Sequence, residues 1–339
     1  TRTIATVEQA RGLADPDVDP VPTESFLDYA RKYADTMLEK SRSNLPKPQT
    51  PLFPITLNRE NYTLPEGKVQ ALVTARVPQN FSTIANPQHD MNLYQLLYAL
   101  TEISGNQSYA AAADDTLRYF LQNCQEPRYG FYCWGEHLGW DLVRHEPGGF
   151  PPNNARNAGI HEFYRPWIFW DKSFTLAPGH ALKYARALWQ HQVNHSDGVS
   201  FSRHAMIMKG DDPSRRGKEF PRHGGFYIAT WAAAYAQTKD PEMLEAVEKL
   251  VAFYEGRRHP ETGAIPHGTG DIEYDSEGNP GEIFYTPSPL SLAIELHNSA
   301  TEMPPELGAR MLALARSTDK AFLALPHDPG PDGKGFIVF

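Results

Sequence analysis

Two stretches of this chain share one layout, and that repetition narrows the fold more than any single residue does. Residues 97–123 read LYALTEISGNQSYAAAADDTLRYFLQN and residues 231–257 read WAAAYAQTKDPEMLEAVEKLVAFYEGR. Each holds a helix-forming run, a Gly-Asn or Asp-Pro turn, and a second helical run that ends in aromatics. Upstream, Leu93, Leu96, Leu97, Leu100 and Ile103 recur at helical spacing, which predicts one apolar stripe on a helix that begins near Asp90 and stops at Gly105-Asn106. LAPGHALKYARALWQHQV at 176–193 supplies a third turn and helix. SPLSLAIELHN at 288–298 with PPELGARMLALARSTDKAFLAL at 304–325 supplies a fourth pair. Helical hairpins repeated at this size build an all-α fold, an α/α toroid closed completely or in part. The expected organisation is one toroid domain over 1–339 with an irregular N-terminal segment over 1–88.

Charge and hydropathy exclude several roles. With 339 residues and a formal net charge of -9, the chain is a poor match for nucleic acid or for an anionic membrane surface. It contains no run of 18 apolar residues, so no membrane span is expected. Cys124 and Cys133 flank a Pro-Arg-Tyr-Gly turn, and two cysteines do not make a disulfide framework, although a single bridge stays open. The chain opens on Thr1 without a signal-peptide core and stops at Phe339 just after DGKGF. Both ends give the expectation of a processed or truncated product.

The connecting segments 45–92, 125–163 and 209–225 are too long for plain turns and rich in Pro, Gly and aromatics, which marks them as functional loops. Three motifs carry chemistry: WGEH at 134–137, HEFYRPWIFW at 161–170 and SRH at 202–204. His137, Glu162 and His204 suit a His, Glu, His set for one divalent cation, with Glu136 competing for the carboxylate and His161 for the imidazole. Arg165, Arg203 and Arg222 supply fork-shaped positive charge for a carboxylate on a substrate. Trp134 and Trp170 are candidate sugar platforms because ligand-type residues flank them, and Tyr164, His161 and His223 are further candidate substrate contacts. The dipeptide Arg-His occurs at 203–204 and again at 222–223, so the two copies can exchange roles. His89-Asp90 is another polar point, with Asp90 read as the N-cap of the Leu-rich helix. Together these groups suit an enzyme that acts on uronic acids.

The segment from His161 to His204 resembles the core of a bacterial group of pectate-lyase-like proteins, and its layout is similar to the metal-dependent pectate lyases of polysaccharide lyase family 2. The resemblance covers roughly residues 90–255, and the chain is shorter than a full member. It implies an α/α toroid in which a His, a Glu and a His hold a divalent transition metal, and in which the arginine just before the second histidine is the base. The matching positions are His137, Glu162 and His204, with Arg203 as base; 42 positions separate Glu162 from His204.

What the resemblance implies is β-elimination on a 4-linked polyuronide, pectate first, by a secreted or periplasmic enzyme whose partner is an acidic polysaccharide or oligosaccharide. Two imidazoles and a carboxylate favour Mn, Fe, Co, Ni or Zn over Ca. An arginine base is chemically demanding, because a guanidinium holds its proton far above neutral pH, and Lys172, Tyr164 and His161 are less demanding alternatives. Two rival enzyme classes share the toroid. An N-acylglucosamine 2-epimerase-like chemistry would use His161, His204 and His223. An unsaturated glucuronyl hydrolase-like chemistry would use Asp141 and Asp171. A non-catalytic glycan-binding toroid would keep the aromatics and arginines without the metal set.

Overall fold

The computed structural model describes residues 25–43, 45, 47–65, 83–136, 138–149, 160–195, 199–201, 203, 205–206, 220–259, 261–266, 273–274, 280–281, 288–324, 327–328 and 335–336. Helices dominate them. Helix α1 spans Phe26–Ser43, α2 Met91–Ser104, α3 Gln107–Asn123, α4 Trp170–Leu176, α5 Pro178–Ala187, α6 Pro221–Thr238, α7 Pro241–Gly256, α8 Ser288–Ser299 and α9 Pro305–Leu323. A single π-turn, Leu188–Gln192, continues α5.

The helices pack as successive hairpins: α2 on α3, α4 on α5, α6 on α7 and α8 on α9. The leading helices α4, α6 and α8 also touch one another in sequence, and so do the trailing helices α3, α5, α7 and α9. Two concentric layers result, which is the layout of an α/α toroid. The leading layer is sealed by apolar contact; α6 is buried almost all round, as an inner helix must be. Ion pairs tie the trailing layer together. Arg186 of α5 forks onto Asp240 at 2.7 and 2.9 Å, and Arg310 of α9 forks onto Glu255 of α7 at 2.6 and 3.3 Å.

Local chemistry sets the element ends. Asn106 caps α3 by accepting from the backbone N–H of Ser108, and Asp240 caps α7 by accepting from that of Glu242 at 3.0 Å. Pro stands in the first turn of α5, α6, α7 and α9, where its missing N–H costs nothing. The stripe expected on α2 is present: Leu93, Leu97 and Leu100 are buried and Leu96 half-buried, while Ile103, in the last turn, is 62% exposed. Asp90 occupies the N-cap position of α2, but its side chain makes no cap bond.

One expectation needs correcting, and one alternative left open is settled. The N-terminal segment is not irregular throughout, because α1 forms an 18-residue helix that packs on α2. Cys124 and Cys133 are both free thiols, buried beside one another where the Cys133 N–H bonds to the Cys124 carbonyl at 2.9 Å.

Short strands brace the loops. Strand β1 (Ile84–Ala85) pairs antiparallel with β2 (Leu138–Asp141), and β2 pairs with β3 (Glu146–Gly149). Strand β4 (Ile160–His161) pairs antiparallel with a later strand, Ala205–Met206. No helix among the described residues is long and apolar enough to cross a membrane.

Candidate active site

Glu162 is the centre of the polar cluster. Its side chain is wholly buried, and Oε1 stands 3.3 Å from Arg203 Nε and 3.4 Å from His223 Nε2. Three separate segments deliver these groups. Glu162 follows β4, whose pairing with Ala205–Met206 brings the chain around Arg203 alongside it. His223 lies in the first turn of α6. The positive end of that 18-residue helix dipole therefore lies beside a carboxylate, which it favours. Arg203 is partly exposed, and its guanidinium lies over the Phe220 ring at 4.9 Å, which fixes the plane of the fork.

The backbone of Glu162 is fixed from the other side. Gly135 and Glu162 form a parallel bridge, and the Glu136 N–H donates to the Glu162 carbonyl at 3.0 Å. Gly135 has φ 105°, and a Cβ built there would lie 1.8 Å from the Glu162 carbonyl oxygen. Only glycine fits that position. Asn86, fully buried, holds the same loop. Its Nδ2 donates to the carbonyls of Gly135 at 2.8 Å and Leu138 at 3.0 Å. Gln88, two residues on, accepts the Tyr164 N–H at 2.7 Å. Sequence reading did not single out Asn86, Gln88 or Gly135; the signal was the turn-forming NPQ run just before the His89-Asp90 pair.

The remaining candidates fall into two groups. Tyr164, 41% exposed, stacks on His89 at 4.4 Å with the rings 5° from parallel, and the Arg165 guanidinium lies over the Tyr164 ring at 4.8 Å. This stack puts a partly exposed aromatic ring two residues from Glu162 in sequence. Arg222 lies next to His223 at the start of α6. Trp134 and Trp170, by contrast, are packing residues. Trp134 has no exposed surface and sits among Phe120, Tyr132, Phe163 and Trp167, and Trp170 is nearly as deep, stacked on Tyr184. Polar flanks did not imply exposure, because neighbouring residues point to different sides of the chain, whether in the loop around Trp134 or in the first turn of the helix that Trp170 opens. His161 is also wholly buried. Its Nε2 lies 2.8 Å from the Tyr184 hydroxyl and 3.2 Å from Trp134 Nε1, which can only donate. Lys172 is engaged by Asp114 at 2.9 and 3.2 Å.

Burial controls the imidazoles. It lowers His161 to about 3 and His223 to about 4, in each case against the pull of Glu162. Both rings are therefore neutral near pH 7, and a neutral imidazole offers a lone pair. His137 and His204 lie outside the described residues. Among the described residues no three His, Cys, Asp or Glu side chains converge as a metal cage. The chemistry of the donors present, a buried carboxylate with a neutral imidazole against it, fits a divalent transition metal. Arg203 of the first Arg-His copy and His223 of the second meet at Glu162.

Several solved structures are similar at low identity. An unsaturated glucuronyl hydrolase from Bacillus sp. GL1 matches at 16% identity and TM-score 0.48, over 74% of this chain and 66% of that one. A glycoside hydrolase of family 105 from C. acetobutylicum matches at 12% identity and TM-score 0.47, over 91% and 73%. A cellobiose 2-epimerase from Bacillus thermoamylovorans matches at 10% identity and TM-score 0.42, over 86% and 66%. The chain thus spans just under two thirds of the length of the first of these. A family model described as periplasmic pectate lyase matches residues 70–266, which is more than half of the sequence and encloses Gly135, Glu162, Arg203 and His223, and the chain belongs to that family.

Proposed function

We propose that this protein is a polysaccharide lyase that cleaves a 4-linked polyuronide by metal-assisted β-elimination, with pectate as the first substrate to test. The observation that carries the reading is the buried Glu162 carboxylate with Arg203 and His223 against it, at the centre of the region that defines the family. The periplasm or the cell exterior is the compartment that the family description suggests.

The chemistry sets three tasks. The proton on C5 of the uronide is weakly acidic, because the neighbouring carboxylate resists more negative charge. That carboxylate must be neutralised, the C5 proton removed, and the C4–O bond broken as the electron pair forms the C4–C5 double bond. A proton then goes to the departing oxygen. Glu162, with His137 and His204, would hold the metal, which supplies Lewis acidity toward the uronate carboxylate. Arg222 and Arg165 bring fixed positive charge to the same substrate group, and the N-terminus of α6 adds its dipole. Arg203 is the proposed base. Its Nε now points at Glu162, so proton transfer requires the guanidine to face the substrate with a nitrogen not engaged there. Tyr164, held by Gln88 and stacked on His89, is the proposed platform for a sugar ring.

The test is the ultraviolet absorbance of the unsaturated product, followed on pectate, alginate, ulvan-type and glycosaminoglycan uronides. Chelator-treated and metal-replenished protein are run side by side. Metal-dependent absorbance on one substrate supports the reading and names that substrate. Silence across the panel with metal restored removes it and favours hydrolysis or epimerisation, which reducing-end and stereochemical assays then separate.

A further inference from the structure

A second cavity, of about 220 Å³, opens between the start of α4, the middle of α6 and the end of α8. It is lined by Glu295, Asn298 and Ser299 of α8, by Glu302 and Asp171, and by the indoles of Trp167 and Trp170. A water occupies about 30 Å³, so the space suits a body of several heavy atoms. Along α6, Ala229 and Ala233 line the cavity and lie six and ten residues beyond His223, which is about 9 and 15 Å of helix rise. The cavity is thus separate from the Glu162 cluster.

Its chemistry is one-sided. Three carboxylates face it, and no Lys, Arg or His is among its lining residues. Glu295 is only 9% exposed, yet its carboxyl has no hydrogen-bond or ion-pair partner among the described residues. Its oxygens are not sealed off but open on the cavity, where an occupant can donate to them. The same burial pushes Glu295 up to about 7. Glu302 is raised too, by burial first and then by Asp171 nearby, against the opposing pull of Lys239 at the end of α6. Trp167 is pinned by its Nε1 donating to Ser173 at 3.0 Å, which leaves a rigid indole wall.

We propose that this cavity binds a small protonated primary amine, whose ammonium group donates to Glu295 and lies against the indole wall. An ammonium offers three donors and a charge, which answers both the unpartnered Glu295 carboxyl and a lining whose three carboxylates have one cation, Lys239, near Glu302. A lone metal ion answers less well, since among the described residues no three acidic or ligating side chains meet at one point. A uronate is repelled by the three carboxylates, so the site is not a further subsite for an acidic chain. A neutral sugar satisfies the hydrogen bonds but leaves the charge standing.

The test is calorimetric titration of the whole protein with n-butylamine and 1,4-diaminobutane at mildly alkaline pH, with tryptophan fluorescence as a second readout. Glucose, galacturonate and magnesium chloride are the comparison ligands. The expected result is saturable amine binding that weakens roughly tenfold or more in Glu295→Gln. Ala229→Leu, which fills the cavity and keeps every charge, should abolish it as well. Thermal melts of both variants confirm that each is folded. Absence of amine binding, amine binding unchanged in folded Glu295→Gln, or tighter binding of glucose or magnesium than of either amine overturns the proposal. None of these readouts depends on lyase activity.

Discussion

Replacing Gly135 by alanine should damage the site more than it damages the fold, and the structure gives the size of both effects. At φ 105° an L side chain is strained, by about 1–3 kcal/mol. The larger problem is the contact. The added Cβ falls 1.8 Å from the Glu162 carbonyl oxygen and 2.8 Å from its carbon, where real Cβ contacts stay above 3.0 Å. The bridge must therefore open by more than about an ångström, which breaks the Glu136 N–H bond to Glu162 and strains the Asn86 contact with Gly135. Each such bond contributes about 1 kcal/mol net, so a total loss of about 3–5 kcal/mol is expected in urea unfolding. A misplacement of that size at a reacting group costs on the order of a hundredfold in rate.

Gly105 provides the control. It too has positive φ, 72°, but a Cβ there meets nothing within 4 Å. Gly105→Ala should lose only about 1–2 kcal/mol and keep full activity. If Gly135→Ala is within about 1 kcal/mol of the parent and turns over normally, the bridge does not position Glu162 and the reasoning fails.

Other perturbations read different parts of the molecule. Glu162→Gln keeps the shape but not the charge; on the proposed metal-assisted lyase reading it should lower metal stoichiometry and cut the elimination rate by at least about a hundredfold, measured by metal analysis and product absorbance on the same sample. Glu126 accepts the backbone N–H groups of Arg128, Tyr129, Gly130 and Phe131 in the turn between the two cysteines, so Glu126→Ala should cost about 3 kcal/mol in chemical denaturation with little effect on turnover once folded. Glu295 sits at about 7 in the fold against an ordinary 4.5, so the folded state binds the extra proton. Its contribution is present below pH 4.5 and is lost as pH rises through 7, by about 3 kcal/mol at most. Glu295→Gln should flatten that loss in melts taken from pH 4.5 to above 7, and an unchanged slope would count against an unpaired carboxyl.

The helical hairpins were legible because an apolar stripe at helical spacing is a local signal that survives packing, as Leu93, Leu97 and Leu100 show. Helix α1 was legible on the same ground. Its stripe of Leu27, Ala30, Ala34, Met37, Leu38 and Ser41 recurs at helical spacing and turns to the core, so the signal was present in a segment read as irregular. The two-residue strands are too short for any periodicity, and they are what bring Arg203 to Glu162. Residue type pointed to Glu162, Arg203 and His223, whose charge and imidazole chemistry are visible in one dimension. Their supports were hidden: Asn86 acts through its amide on a carbonyl 49 positions away, and Gly135 acts by having no side chain at all.

The placement of the site follows from the toroid itself. Inner helices such as α6 are apolar almost all round, so a charged group cannot be seated along their length without a partner. The helix starts, where the dipole is positive and loops arrive, are where a carboxylate is least costly. Glu162 lies there, against the first turn of α6, and its chain is clamped by Gly135 and Asn86 rather than by the helix. Glu295 is the exception that gives the rule its content: it is carried near the end of an inner helix, away from the Glu162 cluster, and has no cationic side chain among the residues lining its cavity. Its carboxyl takes its hydrogen bonds from whatever fills the cavity, which makes that cavity, and not only the Glu162 cluster, a place to look for ligand.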